Sequence, residues 1–302
     1  LKALENIDLL VVNELFDAET AWYADYIFAL KHPFEQTDIP RLLDSLYPFP
    51  LMQYSQPIVK APEGLLDGYE VFWGLAKRLG IQMDIPGISM DTKPTADEML
   101  EGLFPTPRIP FEEIRKYPEG HVWGEVEPRV GHILPSMIGH PDKRIAFGNA
   151  EALEELRDVR AEPIIDKGGY DENEDFAFRM IHYRMGEVYV SQGRNMKTLH
   201  ERAPYNPVMM NPKDMEGLGV GDGDRVRVET DYGTMEGIVK VAESLKSGVI
   251  AVAPGWGHPD DKRDISEKGT KVQRLIPDDV RYDPVTGLAL MTAIPVNVVA
   301  VK

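Results

Sequence analysis

Apolar residues along the chain first fall into short unbroken runs. Residues 7–12 (IDLLVV) form one, closed by polar residues at 13–17, and read as a strand buried in a parallel sheet. Residues 19–24 suit a short helix, and residues 25–30 (DYIFAL) suit a second strand at close spacing. Prolines bound an extended segment at 49–59. From 68 to 79 the period changes: Tyr69, Phe72, Trp73, Ala76 and Leu79 recur at helical spacing, and Gly80 marks the stop. Strand, helix, strand, helix predicts the edge of an α/β domain.

Residues 83–125 are rich in Pro and Gly and read as an irregular connector crossing a surface, with one short helix. A charged helix is expected over 150–159, and the polar loop 167–176 is the preferred domain boundary. Beyond Phe176 the pattern becomes short strands with glycine turns. Residues 211–241 are the most readable part: Asn211 caps a helix that starts at Pro212 and stops at Gly219. The GDGD turn at 221–224 leads into a strand that alternates around Val226 and Val228. Residues 231–233 turn the chain, and 235–241 return as a second strand. No internal repeat is visible.

Composition narrows the functional classes. The chain has 302 residues, enough for two domains, and 33 Lys and Arg stand against 50 Asp and Glu, a net charge of −17. That balance argues against nucleic-acid or anionic-membrane partners, yet leaves room for a local basic pocket. Cysteine is absent, which removes disulfides, thiolate metal sites, Cys-ligated iron–sulfur clusters and a cysteine nucleophile from this chain. No apolar run is long enough to cross a bilayer. The chain opens directly on an apparent buried strand, without Met, signal peptide or twin arginine. It reads as a piece of something longer, with trimming of a short leader as the alternative.

The segments FRMIHYRMGEVYVSQGRN, NPVMMNPKDMEGLGVGDGDRVRVETDYGTMEGIVKV and SGVIAVAPGWGH, in that order, resemble the C-terminal domain of the molybdopterin oxidoreductases of the dimethyl-sulfoxide-reductase family. The first half, through VVNELFDAETAWYADYIFAL and YEVFWGLAKRLG, is similar to the preceding α/β domain of that family. The resemblance covers roughly residues 7–81 and 176–301. It implies an α/β (Rossmann-like) segment over 1–100 and an irregular connector with a charged helix over 101–170. A mainly β double-psi six-stranded barrel, aspartate-decarboxylase-like, follows over 171–302. Asp214, Asp222 and Asp224 then read as barrel scaffold.

The implied ligand is molybdopterin guanine dinucleotide, used in pairs around molybdenum or tungsten. Its binding needs donors for a pyrophosphate, a partner for a flat pterin and a carboxylate for guanine. On the loop that wraps the dinucleotide in this family stand Arg184, Tyr189, Ser191, Gln192, Arg194 and Asn195. Arg194 is expected to add charge-assisted bonds. Val188 and Val190 occupy places where histidines are common, which suggests a less common branch. Gln273 in GTKVQRL stands where an Asn is usual. Glu14 and Asp17 follow the first strand, where a carboxylate can accept from guanine, and Thr20 and Asp25 match a Thr-Ala-x-x-Ala-Asp pattern. Asp25 equally suits a turn cap. Trp256 reads as packing beside the pocket and His258 is unassigned. His32, His121, His132, His140, His182 and His200 show no metal spacing.

The resemblance implies an oxidoreductase whose metal ligand, and any iron–sulfur cluster, lie in another part of the polypeptide or in a partner subunit. This chain would clamp the dinucleotide tails and close the substrate funnel, with the segment 83–125 as a candidate lining. Its partners would be the N-terminal remainder, an electron-transfer subunit and a small-molecule substrate, with no direct membrane insertion. Cytoplasmic and periplasmic locations both remain open. Two other classes are a free-standing double-psi-barrel protein without redox activity and a cofactor carrier. The chain lacks the Gly-Ser pair that self-processing barrels of this type require.

Overall fold

The computed structural model of the chain describes residues 2–16, 18–40, 47, 49–105, 107–124, 139–145, 147–161, 176–257, 264–277, 280 and 282–301. Asp17, His132, His258 and the stretch 167–175 lie outside the described residues. The chain divides into two units, Leu1–Lys143 and Arg144–Lys302.

In the first unit a one-turn helix α1 (Lys2–Glu5) precedes strand β1 (Val11–Glu14), which pairs in parallel with β2 (Tyr26–Ala29). A five-residue 3-10 helix, Glu19–Tyr23, connects them and buries Ala21. The apolar run therefore starts ahead of its strand, and Ile7 and Leu9 are exposed. Helix α2 (Gly68–Leu79) is closed at its start by an Asp67–Glu70 capping box and at its end by Gly80 in the left-handed region. Its buried residues are Val71 and Trp73, while Phe72 and Leu79 of the expected stripe are exposed. The reason is local: Trp73 and Tyr69, one turn apart, pack with Ile88 and Met99.

The Pro- and Gly-rich stretch differs from its expectation. It contains two helices, α3 (Ala96–Leu103) and α4 (Phe111–Ile114), and strand β4 (His121–Val122), which pairs antiparallel with β3 (Leu51–Met52). Phe111 and Ile114 join Ile39, Met52 and Tyr54 in one apolar cluster. Thr95 and Glu98 start α3 by reciprocal side-chain to backbone bonds of 3.2 and 2.7 Å.

The second unit begins with α5 (Ala150–Ala161), which buries none of its residues. Strands β5 (Phe178–Ile181), β6 (Val208–Met210), β7 (Arg225–Glu229), β8 (Thr234–Val241), β9 (Val249–Ala251) and β10 (Ile294–Ala300) close a barrel in the order β10-β5-β9-β6-β8-β7. Two pairings are parallel, β5 with β9 and β6 with β8, and the others are antiparallel. Closure leaves no unpaired edge strand. Val226 and Val228 alternate inward and are fully buried with Met180, Val208, Met210, Ile250 and Val296. Each such side chain contributes about 1.5–3 kcal/mol on burial.

Short helices complete the unit: α6 (Lys197–Arg202), α7 (Pro212–Leu218) and α8 (Ile265–Lys268). Asn211 caps α7 by accepting from Lys213 N at 2.9 Å, and Gly219 ends it. The aspartates around it are bound into the scaffold. Asp214 accepts from Gly248 N and Ser247 Oγ, Asp222 from Val241 N, and Asp224 from Gly221 N.

Candidate cofactor-binding site

After β5 the chain leaves the barrel through His182 and Tyr183, both half-buried. Burial lowers the pKa of the His182 imidazole below its ordinary value and pushes the Tyr183 hydroxyl up to about 12. The next residues form a tight turn: Tyr189 and Gln192 exchange backbone hydrogen bonds of 3.1 and 3.0 Å. Val190 stands at φ +58, a left-handed conformation rare for a β-branched residue. Such strain persists only where the surroundings impose it.

Gly255 is part of those surroundings. A Cβ on it would meet Val190 Cγ1 at 2.5 Å and Ser191 N at 2.8 Å, so only glycine lets the turn sit this close. Arg194 fixes the contact from its other end: its Nη1 donates to the carbonyls of Gly255 and Gly257 at 2.9 and 3.2 Å. Deeper still is Asn206, with 1% of its surface exposed. Its Nδ2 donates to Ala253 O and Thr270 O at 2.6 and 3.0 Å, and its Oδ1 accepts from Thr270 N at 2.7 Å. One amide thus ties the segment after β9 to the segment that leads into the 3-10 turn Val272–Leu275.

On this base the loop presents polar groups outward. The Arg184 guanidinium lies 5.4 Å above the Tyr189 ring, and both side chains are exposed. Ser191, Gln192 and Asn195 are exposed on the same loop, and Gln273 is exposed on its 3-10 turn. Arg184 also lines a cleft of about 340 Å³ that includes Arg202, Lys240 and Glu187. On the side of the loop facing Trp256, a cavity of about 10 Å³ is bounded by Val188, Val190 and Pro254. Trp256 is buried, and its indole Nε1 has no hydrogen-bond partner.

The structure therefore brings Arg184, Tyr189, Ser191, Gln192, Arg194 and Asn195 together on one loop. Arg194 is distinct among them, because its Nη1 is engaged by two carbonyls. In the first unit Glu14 ends β1, where its Oε1 accepts from Leu15 N. Thr20 is exposed on the 3-10 helix. Asp25 accepts from Leu10 N at 2.8 Å, a bond that ties the start of β2 to the residue before β1. Asn206 and Gly255 stand in the segments that carry the family resemblance but have no role assigned by sequence, and Trp256 reads there as packing. Asn206 in YNPVMM carries no local signal, since its partners lie far along the chain. Gly255 could have been suspected from its place in a PGWG run.

The donor set fits an extended anionic ligand with flat ends. Hydroxyl, amide and guanidinium groups face outward on a turn that glycine and Asn206 hold in place, and a buried indole N–H stands beside it. Among the described residues no group of three or more His, Asp or Glu side chains could hold a metal ion. No helix among them is long and apolar enough to cross a membrane.

Comparison with known proteins identifies the type of domain that carries this loop. Residues 178–292 match the family described as Molydopterin dinucleotide binding domain. The chain is 23% identical over 292 residues to trimethylamine-N-oxide reductase of Haemophilus influenzae, covering 85% of this chain and 34% of that protein. It is 26% identical over 286 residues to dimethyl sulfoxide reductase DmsA of Escherichia coli, covering 85% of this chain and 34% of that one. It spans about a third of the length of these curated relatives. The fold is shared with acetylene hydratase from Pelobacter acetylenicus, at a TM-score of 0.68 and 19% identity, over 99% of this chain and 41% of the other. The barrel with its loop is a molybdopterin-dinucleotide-binding domain, homologous to that of the molybdenum and tungsten enzymes of the dimethyl-sulfoxide-reductase family.

Proposed function

We propose that this chain is the C-terminal part of a molybdenum- or tungsten-dependent oxidoreductase. It grips the guanine dinucleotide tails of the paired pterin cofactor and closes the funnel to the metal. The barrel would be of the aspartate-decarboxylase-like double-psi type. The observation that carries this reading is the strained turn 189–192, pinned by Gly255 and Arg194 with its donors facing outward. Ser191, Gln192 and Asn195 would donate to the pyrophosphate oxygens, and the Arg184–Tyr189 pair would offer a cationic flat face to a ring. Gln273 would add an amide. Arg194 would act by holding the turn. In the first unit Glu14 and Asp17 are the carboxylates suited to a guanine edge, with Thr20 and Asp25 on the crossover beside them.

When bound, the metal cofactor supplies two-electron redox chemistry. The residues of this chain hold and orient the tails. The protein ligand to the metal would come from another segment of the polypeptide, and an electron-transfer subunit would be the partner.

Native mass spectrometry of the purified enzyme, followed by denaturation, tests the reading. The expected result is a polypeptide heavier than 34.0 kDa that releases pterin guanine dinucleotide and carries molybdenum or tungsten. A homogeneous 34.0 kDa chain without dinucleotide would overturn it and leave a barrel-containing binding protein.

A further inference from the structure

Trp256 is buried, with 3% of its surface exposed, yet its indole Nε1 has no hydrogen-bond partner. A buried Trp N–H normally finds an acceptor, so this orphan needs a cause. The carbonyls nearest to it in the chain are already engaged. Ala253 O accepts from Asn206 Nδ2, while Gly255 O and Gly257 O both accept from Arg194 Nη1. The bonds that pin the cofactor loop thus occupy the acceptors on either side of the indole.

The ring has a defined orientation. A methyl group on Gly269 would stand 3.0 Å from Trp256 Cβ and 2.9 Å from its Cε3, so that edge of the side chain lies against residue 269. Covalent geometry puts Nε1 on the opposite edge of the indole. Gly269 does not line the cavity of about 10 Å³, whereas Trp256 does, together with Tyr183, Arg184, Val188 and Val190. That volume has room for about one oxygen atom or one water. Tyr183, Arg184 and Met185 also line the cleft of about 340 Å³, so the small cavity adjoins the larger one. Its lining residues supply side-chain donors in Trp256 and Arg184 and a single side-chain oxygen, the Tyr183 hydroxyl. A water there would have two hydrogens of its own to place. A phosphoryl or ring-carbonyl oxygen only accepts, and so matches a surplus of donors.

We propose that Trp256 is a cofactor-binding residue, whose indole N–H donates to one oxygen of the dinucleotide cofactor in the cavity between Trp256 and Val190. The inference rests on the reading of residues 184–195 as the dinucleotide loop. It adds to that reading a donor that is buried, where the others on the loop are exposed. A cavity of this size admits one oxygen and no ring, so the bond fixes how deep the ligand sits against the loop.

Ultraviolet resonance Raman spectroscopy reads hydrogen bonding at an indole N–H and tests this. The difference between wild type and Trp256→Phe isolates the one ring, in the purified enzyme with its cofactor and again after the cofactor is stripped. A bonded N–H is expected in the loaded form and an unbonded one in the stripped form. A bonded N–H in both forms would assign the acceptor to water or protein and overturn the proposal, as would an unbonded one in both. Trp256→Phe should also weaken dinucleotide retention roughly tenfold, the effect of one lost hydrogen bond. Where phenylalanine disturbs folding, 3-benzothienylalanine at position 256 keeps the bicyclic shape and replaces the N–H with sulfur. It should give the same loss, and full retention would overturn the proposal. Enzyme without any dinucleotide would defeat the reading of the loop itself. Bound dinucleotide with an unchanged indole signal would defeat this inference alone.

Discussion

Gly255 and Val190 share a space that holds one side chain. A methyl group at Gly255 would stand 2.5 Å from Val190 Cγ1 and 2.6 Å from its carbonyl carbon, and Gly255 itself lies at φ +88. The turn that presents Ser191 and Gln192 is thus set by a missing side chain two segments away. Gly255→Ala should cost about 1–3 kcal/mol through overpacking and backbone strain. Trp256, the one tryptophan of the second unit in the sequence, is the reporter. Its unfolding transition in urea should move to lower denaturant, and the enzyme should retain less dinucleotide.

Asn206 makes three buried hydrogen bonds to backbone. Asn206→Leu would leave Ala253 O, Thr270 O and Thr270 N unpaired and should cost about 2–4 kcal/mol. Asn206→Asp should also destabilise, because it sets a carboxylate oxygen against two carbonyls. The same Trp256 transition measures both. An unchanged midpoint would show that the two segments do not depend on this amide.

Burial holds the His182 imidazole below its ordinary value of 6.5. A depressed histidine favours the neutral ring in the folded state, so between the folded and unfolded values the unfolded chain binds more protons. Its stabilising contribution is present above the unfolded value and is lost as pH falls below it. Stability should therefore decline as pH drops through 6.5 toward the lower folded value. His182→Gln should flatten that part of the slope. Denaturation midpoints of both proteins across this range provide the check.

Thr95 and Glu98 cap α3 in the first unit by reciprocal bonds. Thr95→Ala should lower the stability of that unit by about 1 kcal/mol. The change should be read by Trp73, which packs with Met99 of the same helix, while the Trp256 transition stays in place.

The legible parts of the sequence are those whose causes are local. The cap at Asn211, the stop at Gly219, the GDGD turn and the alternation at Val226 and Val228 all stand where residues 211–230 put them. Helix Gly68–Leu79 is bounded by its own residues, yet its buried face is not, since Phe72 or Trp73 could equally face inward until residues 83–99 fold over one of them. In the stretch 83–125 the prolines masked a capping box at Thr95 and Glu98 that spacing alone could have revealed. At the site, the loop residues were visible as a set through the family resemblance. Their division of labour was not. Arg194 looks like a phosphate ligand in sequence, and only the fold places Gly255 O and Gly257 O at its Nη1.

The barrel's last partner in chain order is β10, which pairs with β5 on one side and β7 on the other. During vectorial synthesis, β5 through β9 emerge with the ring still broken between β5 and β7. Their ladders to residues 294–300 cannot form until that final strand leaves the ribosome. The intervening chain must wait with two open edges, a state prone to mispairing and slow to resolve because its contacts are distant in sequence. The ends of β5 and β9 that carry residues 184–195 and Gly255 pair with each other directly, so the last strand adds closure to a pair that is held without it.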